Sequence, residues 1–171
     1  FSENVTGFVV GDISLSNASA SNFTTVDGNT YTALITPTAP GAVTIDVNSA
    51  VAEDAAGNDN TAATQVSSTF DTAAPSVAIQ NVPANTNTAF TATFEFSENV
   101  TGMVVGDGRL INACASHFTT VDGNTYTALI TQTAPGALTL DLNSAVAEDT
   151  EGNDTTAATQ VSRTFYTARH G

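Results

Sequence analysis

The residues of this chain that could do chemistry are almost all oxygen donors. Asp and Glu number 17 against three Lys and Arg, and the formal net charge is −14. Hard cations such as Ca²⁺ bind about six to eight oxygen ligands from carboxylates, carbonyls and amide side chains. The sequence predicts a Ca²⁺ site formed by the loop residues Asp71, Glu98, Asp149 and Asn153. Glu3, Asp54 and Asn58 occupy equivalent positions nearer the start of the chain.

Other kinds of chemistry find little support in the sequence. A hydrolase would need a nucleophile and a base, but the two histidines, His117 and His170, lie outside any repeated motif. The single cysteine, Cys114, excludes an intrachain disulfide and gives no zinc-ligand spacing. No Gly-rich loop leads from a strand into a helix, so a phosphate-binding loop is not expected. We therefore predict that the chain is not an enzyme.

The charge and the hydropathy pattern also exclude two classes of partner. The chain has no Lys, and its strong negative charge would repel nucleic acid. No apolar run is long enough to span a bilayer, so direct insertion into a membrane is not expected.

An internal repeat organises the elements that must position the candidate ligands. Residues 1–7 and 96–102 have the same sequence, Phe-Ser-Glu-Asn-Val-Thr-Gly, which gives a period of 95 residues. Of the 76 aligned positions 18 differ and 58 are identical, so both copies must share one fold. We predict a truncated first domain over residues 1–70, a complete domain over 71–165 and a tail over 166–171. Because the chain starts within the motif, we expect it to be cut from a longer protein.

Short segments of alternating polarity predict an all-β fold, with each complete copy a Greek-key sandwich of the immunoglobulin type. Seven strands are predicted in the complete copy, at residues 76–80, 89–97, 103–105, 118–121, 126–130, 137–146 and 159–165. In the second of them Phe90, Ala92, Phe94 and Phe96 are predicted to face the core. One face of the sixth strand keeps its apolar character between copies and is predicted to be buried: Val43, Ile45 and Val47 become Leu138, Leu140 and Leu142.

The loops decide where the candidate ligands lie. In this topology the loops after strands two, four and six return to the end of the domain where strand one begins, which would bring Glu98, Asp122 and Asp149 towards Asp71. A second interpretation stays open, because Asp-x-x-Gly-Asn is also good turn chemistry. Residues 122–124, Asp-Gly-Asn, predict a tight hairpin turn with positive φ angles.

Three motifs are distinctive: Phe-Ser-Glu-Asn-Val-Thr-Gly, Ala-Glu-Asp-Ala-Ala-Gly-Asn and Asp-Thr-Ala-Ala-Pro. In these motifs, and over nearly its whole length, the chain resembles the bacterial Ig-like repeat of large surface adhesins, a group that includes RTX-type and biofilm-associated proteins. The resemblance implies a non-enzymatic stalk module of a secreted or cell-surface bacterial protein. Its partners would be neighbouring Ig-like repeats, often stiffened by Ca²⁺ at the junctions, and a cell-surface or biofilm-matrix ligand would bind through other regions.

Two alternative functions stay open: a module that itself binds carbohydrate or protein, and an accessory domain of a secreted hydrolase. An exposed aromatic patch would favour the first of these.

One structural prediction does not depend on function. The first copy lacks counterparts of residues 71–95, and with them the apolar residues of the first two strands. We expect this copy to be unstable alone and prone to borrow a strand from a neighbour.

Overall fold

The chain forms two compact units of β-strands. The structure, a computed structural model, describes residues 1–165. The two units are Phe1–Thr72 and Ala73–Gly171, which we call the first and the second unit. The predicted tail at residues 166–171 lies outside the described residues. Within residues 1–165, no helix is long and apolar enough to cross a membrane.

The first unit contains five strands. They are β1 (Ile13–Ser16), β2 (Ala18–Thr25), β3 (Tyr31–Pro37), β4 (Gly41–Val47) and β5 (Val66–Phe70). Strands β1, β4 and β5 form an antiparallel sheet with β4 at its centre, and β2 and β3 form an antiparallel pair.

Up to residue 165, the second unit contains seven strands, paired in the order expected of an immunoglobulin sandwich. They are β6 (Val77–Gln80), β7 (Phe90–Phe96), β8 (Gly108–Ile111), β9 (Ala113–Thr120), β10 (Thr125–Gln132), β11 (Gly136–Leu142) and β12 (Val161–Phe165). One sheet has the order β6-β7-β10-β9 and the other has the order β12-β11-β8. Within the unit, strands one, two, five and four form one sheet and strands seven, six and three form the other, as in constant-type immunoglobulin domains. The predicted fold is confirmed.

Both sheets contribute to one core in the second unit. Alternate residues of β7, β10 and β11 point into it, as the two-residue period of a strand requires. The largest fully buried side chains include Phe96, Ile130, Leu138, Leu140 and Leu142. The predicted inward faces of β7 and β11 are therefore confirmed, although Phe90 at the start of β7 is only partly buried.

The prediction of a strand at residues 103–105 is wrong. A 3-10 turn forms at Val105–Asp107, and the strand is β8, directly after it. The Asp107 carboxylate accepts a hydrogen bond of 2.7 Å from the Val104 N–H, which bends the chain before the strand begins. In the first unit the Asp12 carboxylate accepts the Val9 N–H in the same way, at 2.8 Å. The apolar residues 103–105 are typical of a strand, but the side chain of Asp107, three residues after Val104, determines their conformation.

The turn at residues 122–124 connects β9 to β10, as predicted, but with a different backbone. Gly123 does not have the positive φ that a primed hairpin turn requires. Instead, the Asp122 carboxylate accepts a hydrogen bond of 3.2 Å from the Asn124 N–H. Asp therefore acts here through its side-chain oxygen, as it does in Asx turns.

Candidate functional site

The repeated Phe-Ser-Glu-Asn-Val motif lies against the turn between β9 and β10. The Phe96 N–H donates to the Asn124 carbonyl at 2.9 Å, and the Val100 N–H donates to the Gly123 carbonyl at 2.9 Å. The Asn124 side-chain amide returns a hydrogen bond of 2.9 Å to the Phe96 carbonyl. These three bonds fasten the loop after β7 to a turn that lies far from it in the sequence.

Gly123 lies directly against a neighbouring side chain, that of Asn99. A Cβ atom added to Gly123 would lie 2.5 Å from the Asn99 Oδ1, much closer than real Cβ atoms approach a neighbour. In the first unit a Cβ on Gly28 would lie 2.5 Å from the Asn4 side chain. Each copy therefore pairs the Asn of the motif with the Gly of the turn. The local sequence alone suggests another reason for this glycine, a positive φ, and that reason is wrong.

A buried tyrosine binds the same loop from inside the second unit. The Tyr126 hydroxyl donates to the Val100 carbonyl at 2.9 Å, and the side chain is 6% exposed. Burial raises the pKa of Tyr126 above its usual value, so the hydroxyl keeps its proton and remains a donor. In the first unit, the Tyr31 hydroxyl donates to the Val5 carbonyl at 3.1 Å.

A third loop, the one after β11, completes this end of the second unit. Thr101 and Glu148 exchange two backbone hydrogen bonds of 2.8 and 2.9 Å. The loops after the second, fourth and sixth strands of the unit therefore meet at one end, as the topology predicts. We call this set of three loops the loop cluster. Thr6 and Glu53 make the corresponding pair in the first unit.

Asp149 and Asn153, two of the predicted ligands, are bonded to each other within the third loop. The Asp149 Oδ1 accepts the Glu151 N–H at 2.9 Å and the Asn153 N–H at 2.8 Å, and its Oδ2 accepts the Asn153 side-chain amide at 2.9 Å. Burial of the carboxyl acts to raise its pKa, but the hydrogen bonds from Asn153, Glu151 and Gly152 outweigh it and leave the pKa of Asp149 below its usual value. In the first unit Asp54 and Asn58 are bonded in the same way, and hydrogen bonds led by that of the Asn58 side chain lower the pKa of Asp54.

Comparison with protein families identifies the fold and its repetition. The model of the bacterial Ig-like domain matches residues 1–70 and again residues 71–165. The chain belongs to the bacterial Ig-like domain family. This confirms the Ig-like part of the resemblance, and membership of an RTX-type or biofilm-associated adhesin stays a prediction.

Three solved structures resemble this Ig-like chain at low sequence identity. Invasin, a bacterial integrin-binding protein, is 18% identical with a TM-score of 0.38, over 91% of this chain and 31% of its own. Yersinia pseudotuberculosis InvD is 19% identical with a TM-score of 0.38, over 90% of this chain and 46% of its own. Bacteroides ovatus SGBP-B, from a mixed-linkage glucan utilization locus and in complex with a heptasaccharide, is 18% identical with a TM-score of 0.32, over 90% of this chain and 38% of its own. The chain spans less than half the length of each. No curated protein matches it.

The predicted Ca²⁺ ligands of this Ig-like chain are only partly brought together. Asp149 and Asn153 are joined in the loop cluster, and Glu98 is half-buried in the loop after β7. Asp71 belongs to the first unit. Among residues 1–165, no group of three or more His, Cys, Asp or Glu side chains is arranged to hold a metal ion. Because both Asp149 oxygens already bind its own loop, its geometry is that of a turn residue, and Ca²⁺ binding stays a prediction.

The remaining candidates are exposed loop residues, residues of strand β9, or residues outside the described part of the chain. Glu3 and Asp122 are exposed loop residues. Cys114 is an exposed residue of β9. His117 has a φ of +48° at the irregular point of the same strand. His170 lies outside the described residues.

Proposed function

We propose that the chain is a non-enzymatic extension module of a secreted or cell-surface bacterial adhesin, in which Ig-like units follow one another along the polypeptide. The observation that supports this proposal is the way in which the two copies use their shared polar residues. In each unit these residues bond to one another and to the backbone of the same unit, so their chemistry maintains the shape of the domain.

Three pairs of residues illustrate this use. Asn99 packs on Gly123, Tyr126 binds the Val100 carbonyl, and Asp149 binds Asn153. The first unit repeats each pair: Asn4 with Gly28, Tyr31 with Val5 and Asp54 with Asn58. A set of polar residues that is satisfied internally suits a mechanical role better than catalysis, which needs groups poised towards a substrate.

Pulling on the full chain tests the mechanical role. Attached through its ends, the chain should show one dominant unfolding step of about 30 nm, the length expected for roughly 90 residues that become extended. We assign this step to the second unit, whose core is closed. Gradual extension at low force, without such a step, would contradict a mechanical function.

Ca²⁺ forms a separate part of the proposal. The net charge of −14 and the meeting of three loops at one end support it, with Glu98, Asp149 and Asn153 as protein ligands. Calorimetry of the full chain in EDTA and in millimolar Ca²⁺ tests it. Binding to the folded state alone would add about 2.7 kcal/mol at a hundredfold excess over the dissociation constant. Mg²⁺ should have a smaller effect because it demands a tighter octahedral shell.

Matched variants separate a bound ion from general charge screening. Glu98→Gln should remove the response to Ca²⁺, whereas Asp141→Asn, which removes a strand β11 carboxylate that is not among the predicted ligands, should keep it. Identical melting curves in EDTA and Ca²⁺ would leave the carboxylates as turn and surface residues, and the extension role would stand without the ion.

A further inference from the structure

Three Asp–Gly pairs occur in the chain, and the structure holds their carboxylates in two different ways. The pairs are Asp27–Gly28, Asp107–Gly108 and Asp122–Gly123. An Asp followed by Gly can rearrange its own backbone, because no Cβ hinders the Gly nitrogen from approaching the Asp carboxyl group. Whether a given pair reacts depends on where the fold places that carboxyl group.

In the turn between β9 and β10, the Asp122 carboxylate lies over the peptide that follows it. Its Oδ1 accepts the Asn124 N–H at 3.2 Å. An oxygen that reaches the N–H two residues ahead places the carboxyl group beside the peptide nitrogen between them, which is that of Gly123. Among residues 1–165, no acceptor binds the Gly123 N–H, and both Asp122 and Gly123 are exposed to water. The nucleophilic nitrogen and the carboxyl group are therefore close together in the folded protein.

The first unit repeats this arrangement, whereas Asp107 reverses it. The Asp27 Oδ1 accepts the Asn29 N–H at 3.1 Å. The Asp107 carboxylate instead accepts the Val104 N–H, three residues back, at 2.7 Å. It is thus turned away from the following peptide, and Gly108 is held as the first residue of strand β8. Two of the three pairs have the geometry for reaction and one does not.

We propose that Asp122 and Asp27 are sites of spontaneous isomerisation to isoaspartate in the folded protein, and that Asp107 is not. At Asp122, the Gly123 nitrogen bonds to Cγ of the protonated carboxyl and gives up its proton. The carboxyl hydroxyl leaves as water, and a five-membered succinimide forms. Water then opens this ring. Attack at the original backbone carbonyl gives isoaspartate, attack at the other carbonyl restores aspartate, and the overall reaction neither gains nor loses atoms.

Isomerisation at Asp122 would loosen the loop cluster, because isoaspartate lengthens the main chain by one methylene group. The Val100 N–H donates to the Gly123 carbonyl at 2.9 Å. The Phe96 N–H donates to the Asn124 carbonyl at 2.9 Å. Both carbonyls come directly after Asp122, so both are displaced when the backbone lengthens. The modified turn should hold the loop after β7 less firmly.

Peptide mapping of the full chain after long incubation at mildly acidic pH tests the proposal. Protease Asp-N cuts before aspartate but not before isoaspartate, and isomerised peptides elute separately at unchanged mass. In strong urea, where no fold directs the carboxyl groups, the three pairs should convert at similar rates. Without urea, Asp122 and Asp27 should convert at least about tenfold faster than Asp107. Conversion of Asp122 as slow as that of Asp107 in the folded chain would overturn the proposal.

One variant and one exchange measurement check the site and its consequence. Asp122→Glu would need a six-membered ring, so it should abolish conversion at this position and leave Asp27 unchanged. Conversion that persists in this variant would overturn the assignment to Asp122. In chains that carry isoaspartate at position 122, hydrogen exchange at Phe96 and Val100 should be about fivefold faster, as expected when a hydrogen bond is lost. Unchanged exchange at both residues would overturn the proposed loosening of the loop cluster.

Discussion

The two units differ in how far their cores are buried, but they agree in the hydrogen bonds that Asp149 and Asp54 make within their loops. Strand β3 shares the six-residue sequence Tyr-Thr-Ala-Leu-Ile-Thr with β10, and its inward residues are nevertheless half-exposed where those of β10 are buried. The strand sequence sets which face is apolar, but the neighbouring strands and the opposite sheet decide whether that face is covered. Burial of the strands in this fold is thus a non-local property.

The loop cluster behaves in the opposite way. The hydrogen bonds of Asp149 to its loop and those of Asp54 differ by no more than 0.1 Å. This agreement holds although the first unit lacks two strands. The loops therefore depend on contacts within the part of the fold that both units have. Substitutions in these loops should destabilise the two units equally, whereas substitutions in the core should affect them differently.

The largest difference is expected for the phenylalanine that ends the last strand. Phe165→Ala removes a side chain that is 1% exposed and stacks on Phe90, with ring centroids 6.3 Å apart. It should destabilise the second unit by about 3–5 kcal/mol. Phe70→Ala, at the equivalent position, should cost the first unit about 1 kcal/mol or less because Phe70 is already partly in solvent.

Residue-resolved hydrogen exchange measures both losses in the same chain, since it reports the opening free energy of each unit separately. A similar loss in both units would mean that the first unit has a core as closed as the second in solution, and the comparison would fail.

A smaller effect, equal in the two units, is expected where the loops meet. Gly123→Ala and Gly28→Ala each require an exposed Asn side chain to move away from the new Cβ and should cost about 1 kcal/mol. Adding Asn99→Ala to the first variant should restore part of the loss, and the coupling in a double-mutant cycle measures the contact.

Gly106→Ala is the matched control, because its Cβ would meet nothing within 4 Å. It should change stability by about 0.5 kcal/mol at most. An effect of Gly123→Ala no greater than that of Gly106→Ala would show that the close approach of Asn99 does not constrain the turn.

The sequence predicts the fold well because the pattern that defines it is periodic. Alternation along β7 and β10 identifies their inward faces, and the exchange of Val43 for Leu138 preserves one of these faces between copies. Errors arise where one side chain overrides the pattern. Asp107 bends an apolar run that is typical of a strand, and Asn112, with a φ of +56°, separates β8 from β9 at a point where the sequence offers no glycine or proline.

The candidate site is harder to predict because the same residues suit two roles. Asp and Asn four residues apart are equally good oxygen ligands and turn residues. Only the structure shows that Asn153 donates to both Asp149 oxygens. The pairing of Asn99 with Gly123 has no local signature either, since the two residues belong to different loops.

The smallest expected effect is a loss of stability at acidic pH, and it should be similar in the two units. Hydrogen bonds hold the pKa values of Asp149 and Asp54 below their usual value of 3.8. A carboxyl whose pKa is lower when folded stabilises the fold above its unfolded pKa, and this stability is lost as the pH falls through its folded pKa. Between about pH 4 and pH 2, both loops should therefore open more readily.

The variant Asp149→Asn tests this expectation. Its side chain cannot titrate and turns an amide donor towards Asn153, so the variant should be less stable at neutral pH and should lose part of the acid dependence. Denaturant unfolding followed from pH 6 to pH 2 measures this slope, with Asp141→Asn as the control for one lost charge. If the unfolding free energy of Asp149→Asn fell with pH as steeply as that of the unmodified chain, the hydrogen bonds would not lower the pKa of Asp149, and the prediction would be wrong.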